Sequence, residues 1–250
     1  MSVQVTDRDA AMFEWFRIVR LTTMEGIRWA LGALNHSTGP VSRNQAFVWV
    51  RRMEEAGMVE RSRVPPFKGT MVWATPKAVG KRRPDLLRQT TRHELMVSVA
   101  SARYLNAGWG WDRDLPEGML PGRPRAADQD RQHSADGIAF NDGVSDLVEV
   151  ELTAKRKERY PVIFEGLRDR LATDDSFRVV YLCTADAGRA VRQALKRGPG
   201  EDIAERTLVV DLFGRDGSWI GDEYPAGLFD AKSPLVNAAV TLDGIGAWVR

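Results

Sequence analysis

The chain has 250 residues, with 36 Lys and Arg against 34 Asp and Glu for a net charge of +2, and one cysteine. It is 43% hydrophobic and 28% charged, which fits a globular chain long enough to bury a core in one large domain or two small ones. One cysteine excludes a disulfide framework and a Cys-rich zinc site. No apolar run reaches the ~18 residues of a membrane span, and MSVQVTDRD lacks the apolar segment of a signal peptide, so the expectation is a cytoplasmic protein without membrane contact.

Residues 7–19 place Ala11, Phe13, Trp15, Phe16 and Val19 among charged residues, as an amphipathic helix does. Thr22 and Thr23 suit the cap of a second helix reaching Leu34, with Ile27, Ala30, Leu31 and Leu34 as its apolar stripe. After a turn at residues 35–40, Ser42 stands three residues before Gln45, a capping box that predicts a third helix from Arg43 to Ala56 with Gly57 as its stop. Two strand candidates follow, 59–64 and 70–75, joined by Pro65-Pro66-Phe67-Lys68-Gly69. Three helices and a basic hairpin give the order of a winged helix-turn-helix.

The basic proline stretch KRRP at 81–84 divides the charge. Residues 1–84 hold 14 Lys and Arg against 7 Asp and Glu, a net of +7, whereas 85–250 carry a net of −5. Such asymmetry points to a nucleic-acid contact in the first part. The third helix would offer Ser42, Arg43 and Asn44 at its start, and Phe47 further on, to base edges of duplex DNA. Arg51, Arg52, Arg61, Arg63 and Lys68 are placed to hold phosphates.

From residue 92 the predicted order is αβββαβ, extended by a helix and a strand to αβββαβαβ, a mixed α/β layer domain over 92–250. Its elements are a helix at 93–107, strands at 109–112, 134–140 and 145–153, a helix to Leu171, a strand at 177–183, a helix at 186–197 and a strand at 207–213. Residues 113–132 read as loop, and 232–250 as a packing helix plus loop.

Chemistry concentrates in the hairpin around Asn141-Asp142-Gly143. A two-residue turn at Asp142-Gly143 pairs Asn141 with Val144, and the same register sets Asp136 opposite Glu149. Alternation then puts Glu149 and Glu151 on one face with Asp136. Three close carboxylates repel unless a cation or proton relieves them, and hard oxygen ligands suit Mg²⁺ or Mn²⁺. The competing expectation is a solvated strand face paired with Lys155, Arg156 and Lys157.

The passage MEEAGMVERSR with a hairpin ending VWATPKAVG resembles the recognition-helix-to-wing segment of bacterial winged-helix proteins. The helix, Asp136, the VEVEL strand and the basic helix after it resemble the PD-(D/E)xK nuclease fold. The whole arrangement, with RHELMVSVA, DGIAF and VEVELTAKRKERY, is similar to the replication-relaxation family of plasmid and phage proteins over roughly residues 10–215. This resemblance implies that Asp136 is the motif aspartate, Glu149 the acid of the acid-x-Lys step, and Glu94 the glutamate of the preceding helix. Glu151 stands where the family has lysine, Ala135 stands where the name-giving proline would be, and Lys155 is the nearest replacement for the lysine.

Three functions stay open at this point: a DNA-binding protein of replication or mobilisation, a metal-dependent endonuclease using Asp136, Glu149, Glu151 and Lys155, and a transcription regulator with an assembly domain. The partners compatible with them are duplex DNA, a second copy of the chain, and replication or mobilisation proteins. Neither Gly-x-x-x-x-Gly-Lys nor Gly-x-Gly-x-x-Gly occurs, which argues against an ATP-driven helicase and a dehydrogenase. His36, His93 and His133 form no metal spacing, and Cys183 closes an apolar strand as a core thiol does.

Overall fold

The structure, a computed structural model, describes residues 4–65, 67–114, 133–225 and 227–229. It is mixed α/β: among the described residues are eight α-helices, a three-stranded antiparallel sheet and a five-stranded mixed sheet. The chain divides into two compact units, the first running to Trp111 and the second beginning at Asp112.

In the first unit, α1 (Asp7–Val19) opens with a capping box between Thr6 and Asp9 and buries Met12, Phe13, Trp15, Phe16 and Val19. The short strand β1 (Leu21–Thr23) follows, and its last residue caps α2 (Met24–Leu34) through a hydrogen bond from the Gly26 amide. The Ser42–Gln45 capping box is formed and starts α3 (Arg43–Glu55), whose Ala46, Trp49, Val50 and Met53 point inward at helical spacing. Gly57 takes a positive φ of 67°, a conformation natural to glycine, and releases the chain into β2 (Val59–Ser62). β3 (Met71–Ala74) returns antiparallel to β2 and also pairs with β1, giving the sheet order β1-β3-β2. One helical turn, α4 (Pro76–Val79), ends at Gly80. Trp29, Trp73 and Phe16 are essentially solvent-free in this core, each contributing on the order of 2–3 kcal/mol by burial.

α5 (Thr91–Asn106) belongs to this unit. The reading that cut the chain at 84 and assigned this helix to a second domain at 92–250 is therefore corrected. Trp15 Nε1 donates to Ser101 Oγ at 3.0 Å, and the Ser98 and Thr22 hydroxyls are 2.8 Å apart. The Arg103 guanidinium lies 4.1 Å from the Trp29 ring centre, and Asn106 Nδ2 donates to the Ser37 carbonyl. The stretch KRRP has the composition of a linker, but the helix after it folds back onto α2 and β1.

β4 (Gly110–Asp112) is the edge of the five-stranded sheet, whose order is β4-β5-β6-β7-β8. β5 (Gly137–Asn141) and β6 (Val144–Glu151) form the expected hairpin in the expected register, Asn141 opposite Val144 and Gly137 opposite Val148. Asp142 and Gly143 both have positive φ, 39° and 84°, the requirement of a type I′ turn. α6 (Arg159–Thr173) crosses over to β7 (Phe177–Thr184), parallel to β6. α7 (Ala185–Ala194) and the short α8 (Pro199–Ile203) lead to β8 (Thr207–Phe213), parallel to β7. Leu147, Val179, Tyr181 and Cys183 pack in one apolar cluster with Tyr160, Phe164 and Leu167 of α6 and with Ala187 and Val191 of α7. The order αβββαβαβ thus stands, with α8 added. The tail expected to pack at 232–250, and residues 115–132 of the expected loop, lie outside the described residues.

Candidate functional site

The first candidate is the outward face of α3. Ser42, Arg43 and Asn44 are exposed at its start, and Arg51 is exposed two turns on, with a surface ion pair to Glu55 at 3.1 Å. Phe47 and Val48 are also exposed, at 48% and 59%, while Trp49 next to them is buried. On the hairpin, Lys68 is exposed, and Arg63 is exposed with Nε 3.4 Å from Thr70 Oγ1. Arg61 is held on two sides: Nε pairs with Glu54 Oε1 at 3.1 Å, and the guanidinium lies 4.6 Å from the Phe47 ring centre.

Arg52 has a different place from its neighbour Arg51. Its Nη2 lies 2.5 Å from Oδ1 of Asp9, a fully buried carboxylate, and its Nη1 donates to the Gln4 carbonyl at 3.0 Å. Trp49 Nε1 donates to the same Asp9 oxygen at 2.8 Å. Burial alone would raise the Asp9 carboxyl, but the bonds from Arg52, the Thr6 amide and Trp49 outweigh it and hold the group below its ordinary value. Arg52 thus ties α3 to α1 by neutralising a buried charge.

The second candidate is the acidic cluster of the second unit. Glu149 and Glu151 lie on one face of β6, opposite Tyr181 and Cys183 of β7. Both are buried, at 4% and 7% exposure, so they do not form a solvated strand face. Asp136, just before β5, donates its backbone amide to the Val148 carbonyl, and its Oδ2 accepts from the Val150 amide at 2.8 Å. That fastening places its carboxylate close enough to Glu149 for their charges to interact.

Two basic side chains close on these acids. Lys155 Nζ is paired with Glu151 Oε2, and His133 Nε2 lies 2.5 Å from Glu149 Oε1. Burial lowers the Lys155 ammonium from its ordinary value against the pull of Glu149 and Asp136. For His133, burial works against the cation, but the bond and the charge of Glu149 prevail and the imidazole is raised. Glu149 is itself raised, by burial first and by the Asp136 charge second. The Tyr181 hydroxyl, with no hydrogen-bond partner, is pushed well up by burial, and the Cys183 thiol is pushed up to about 12, the state of an inert core thiol.

His133 was set aside by sequence reasoning because no metal spacing includes it. Its short separation from Asp136 was the one available signal. Glu94, the suggested helix glutamate, lies in α5 of the first unit and accepts from the Thr90 hydroxyl at 3.0 Å. As arranged, each carboxylate is engaged by an amide, an imidazole or an ammonium. Among the described residues no three His, Cys, Asp or Glu side chains group closely enough to hold an ion. Nor is any described helix long and apolar enough to cross a membrane. Comparison of the chain with protein-family models, with curated proteins and with solved structures finds no match.

Proposed function

We propose that the chain binds duplex DNA through its first unit, a winged helix in which α3 enters the major groove and the β2–β3 hairpin is the wing. The observation that carries this reading is the outward face of α3, where Arg43, Asn44 and Arg51 are exposed beside a hairpin bearing Arg63 and Lys68. The topology supports it: a strand between the first two helices pairs with the hairpin, in the sheet order β1-β3-β2. So does the net charge of +7 over residues 1–84. The second unit is, in this reading, a nuclease-like α/β domain of a plasmid or phage replication or mobilisation protein, its acids neutralised by His133 and Lys155 rather than by a metal.

Anisotropy of a fluorescent duplex titrated with the full chain tests the first claim. Affinity should fall linearly with salt on logarithmic axes, because phosphate contacts release counterions. Replacing Arg63 and Lys68 by Ala should lower affinity on all sequences and flatten that slope, whereas Asn44→Ala should change the preference among sequences. No binding at low salt would overturn it.

One observation favours a second reading, an endonuclease. Lys155 reaches back to Glu151 and so sets an ammonium beside the acids, where the resemblance calls for a lysine. Mn²⁺-dependent nicking of supercoiled DNA that disappears in Glu149→Gln would establish that activity.

A further inference from the structure

We propose that Phe47 and Val48 read thymine methyl groups in the major groove, which makes A·T pairs the preferred target of α3. The inference rests on the DNA-binding reading above and deepens it.

Asn44, Phe47, Val48 and Arg51 follow the spacing i, i+3, i+4, i+7 and so share one face of α3. That face is exposed at all four positions, and its centre is apolar. The Phe47 ring is held in place. Arg61 from β2 lies over it at 4.6 Å, and Glu54, on the same helix, holds Arg61 at 3.1 Å. An aromatic ring fixed from one side and open on the other is pre-organised for a contact, so little side-chain freedom is lost on binding.

What fits this patch is set by its surroundings. Arg43 and Arg51 flank it on the helix, and Arg63 and Lys68 stand on the hairpin, so the complementary surface is polyanionic with small apolar features. The thymine C5 methyl is the apolar feature of the major groove, and the minor groove has none. Asn44, one turn before Val48, is the residue type that pairs with adenine N6 and N7. Two side chains also fall far short of the roughly 800 Å² per partner that a stable protein interface buries.

The experiment uses the full chain and two pools of duplexes of identical random sequence, one synthesised with thymine and one with uracil, which lacks the methyl. The wild type should retain the thymine pool better by about fourfold for each methyl contacted. Phe47→Ala and Val48→Ser, both at exposed positions, should lose the preference and retain the two pools equally. Equal retention of both pools with salt-dependent binding intact would overturn the inference and leave the DNA-binding reading standing. No retention of either pool would overturn both. A change in sedimentation of Phe47→Ala, without thymine preference in the wild type, would assign the patch to protein contact and overturn the inference as well.

Discussion

His133 Nε2 lies 2.5 Å from Glu149 Oε1, so a buried strand carboxylate is matched by an imidazole from the segment that leads into the neighbouring strand. The pair holds that segment against β6. Removing one member exposes what the other contributes. His133→Ala leaves Glu149 buried without its partner and should cost about 2 kcal/mol in urea unfolding. Glu149→Gln, which removes the charge as well, should cost less. Equal losses in the two variants would mean that the contact carries no charge-specific energy.

Arg51 and Arg52 are adjacent, yet their substitutions should separate cleanly. Arg52→Met strands the buried Asp9 carboxylate and should destabilise the chain by about 3 kcal/mol. Arg51→Met removes an exposed pair with Glu55 and should change stability by less than about 0.5 kcal/mol while weakening DNA binding. Thermal unfolding and duplex titration of both variants check the two halves.

The same carboxylate sets an acid limb on stability. The folded Asp9 value lies below its ordinary 3.8, so its contribution is complete above that pH and is lost as pH falls through the lower folded value. Stability of Asp9→Asn should therefore fall less steeply in acid than that of the wild type. Parallel acid profiles would contradict the assignment.

Gly32 of α2 has no room for a methyl group. A Cβ there would sit 2.2 Å from the Gly39 carbonyl oxygen and 3.0 Å from Asn106 Nδ2. Gly32→Ala should cost about 2 kcal/mol despite alanine's better helix propensity, because the turn and α5 must shift to admit it. An unchanged or raised melting temperature would show that the turn gives way freely.

Divalent cations test the charge balance of the acidic cluster. With Lys155 on Glu151 and His133 on Glu149, Mg²⁺ or Mn²⁺ should leave the melting temperature unchanged. A rise with ion concentration that is absent in Glu149→Gln would show that the ion displaces the imidazole.

What the sequence made legible was local. Ser42 with Gln45, Gly57, and Asp142-Gly143 each act within a few residues, and they set α3, its end and the β5–β6 register as expected. Alternation correctly put Glu149 and Glu151 on one face, but it carries no information about what covers that face, and the cover turned out to be an apolar cluster with α6. β1 escaped because its three residues pair only with a strand some fifty positions later. Helical periodicity marks the apolar sides of α5 without naming the neighbour they meet, so the helix was assigned to the wrong unit. Arg52 read as a phosphate ligand because a basic residue on a basic helix looks the same whether its partner is DNA or a buried aspartate forty-three residues back.

The tie from Asp9 to both Arg52 and Trp49 has a mechanical consequence. Two hydrogen bonds from α3 converge on one buried carboxylate of α1, so a tilt or slide of α3 against α1 would have to break both. On the DNA-binding reading, a duplex docking on α3 meets a helix anchored in this way, and sequences that flex cheaply at the right step gain an advantage that no contact accounts for.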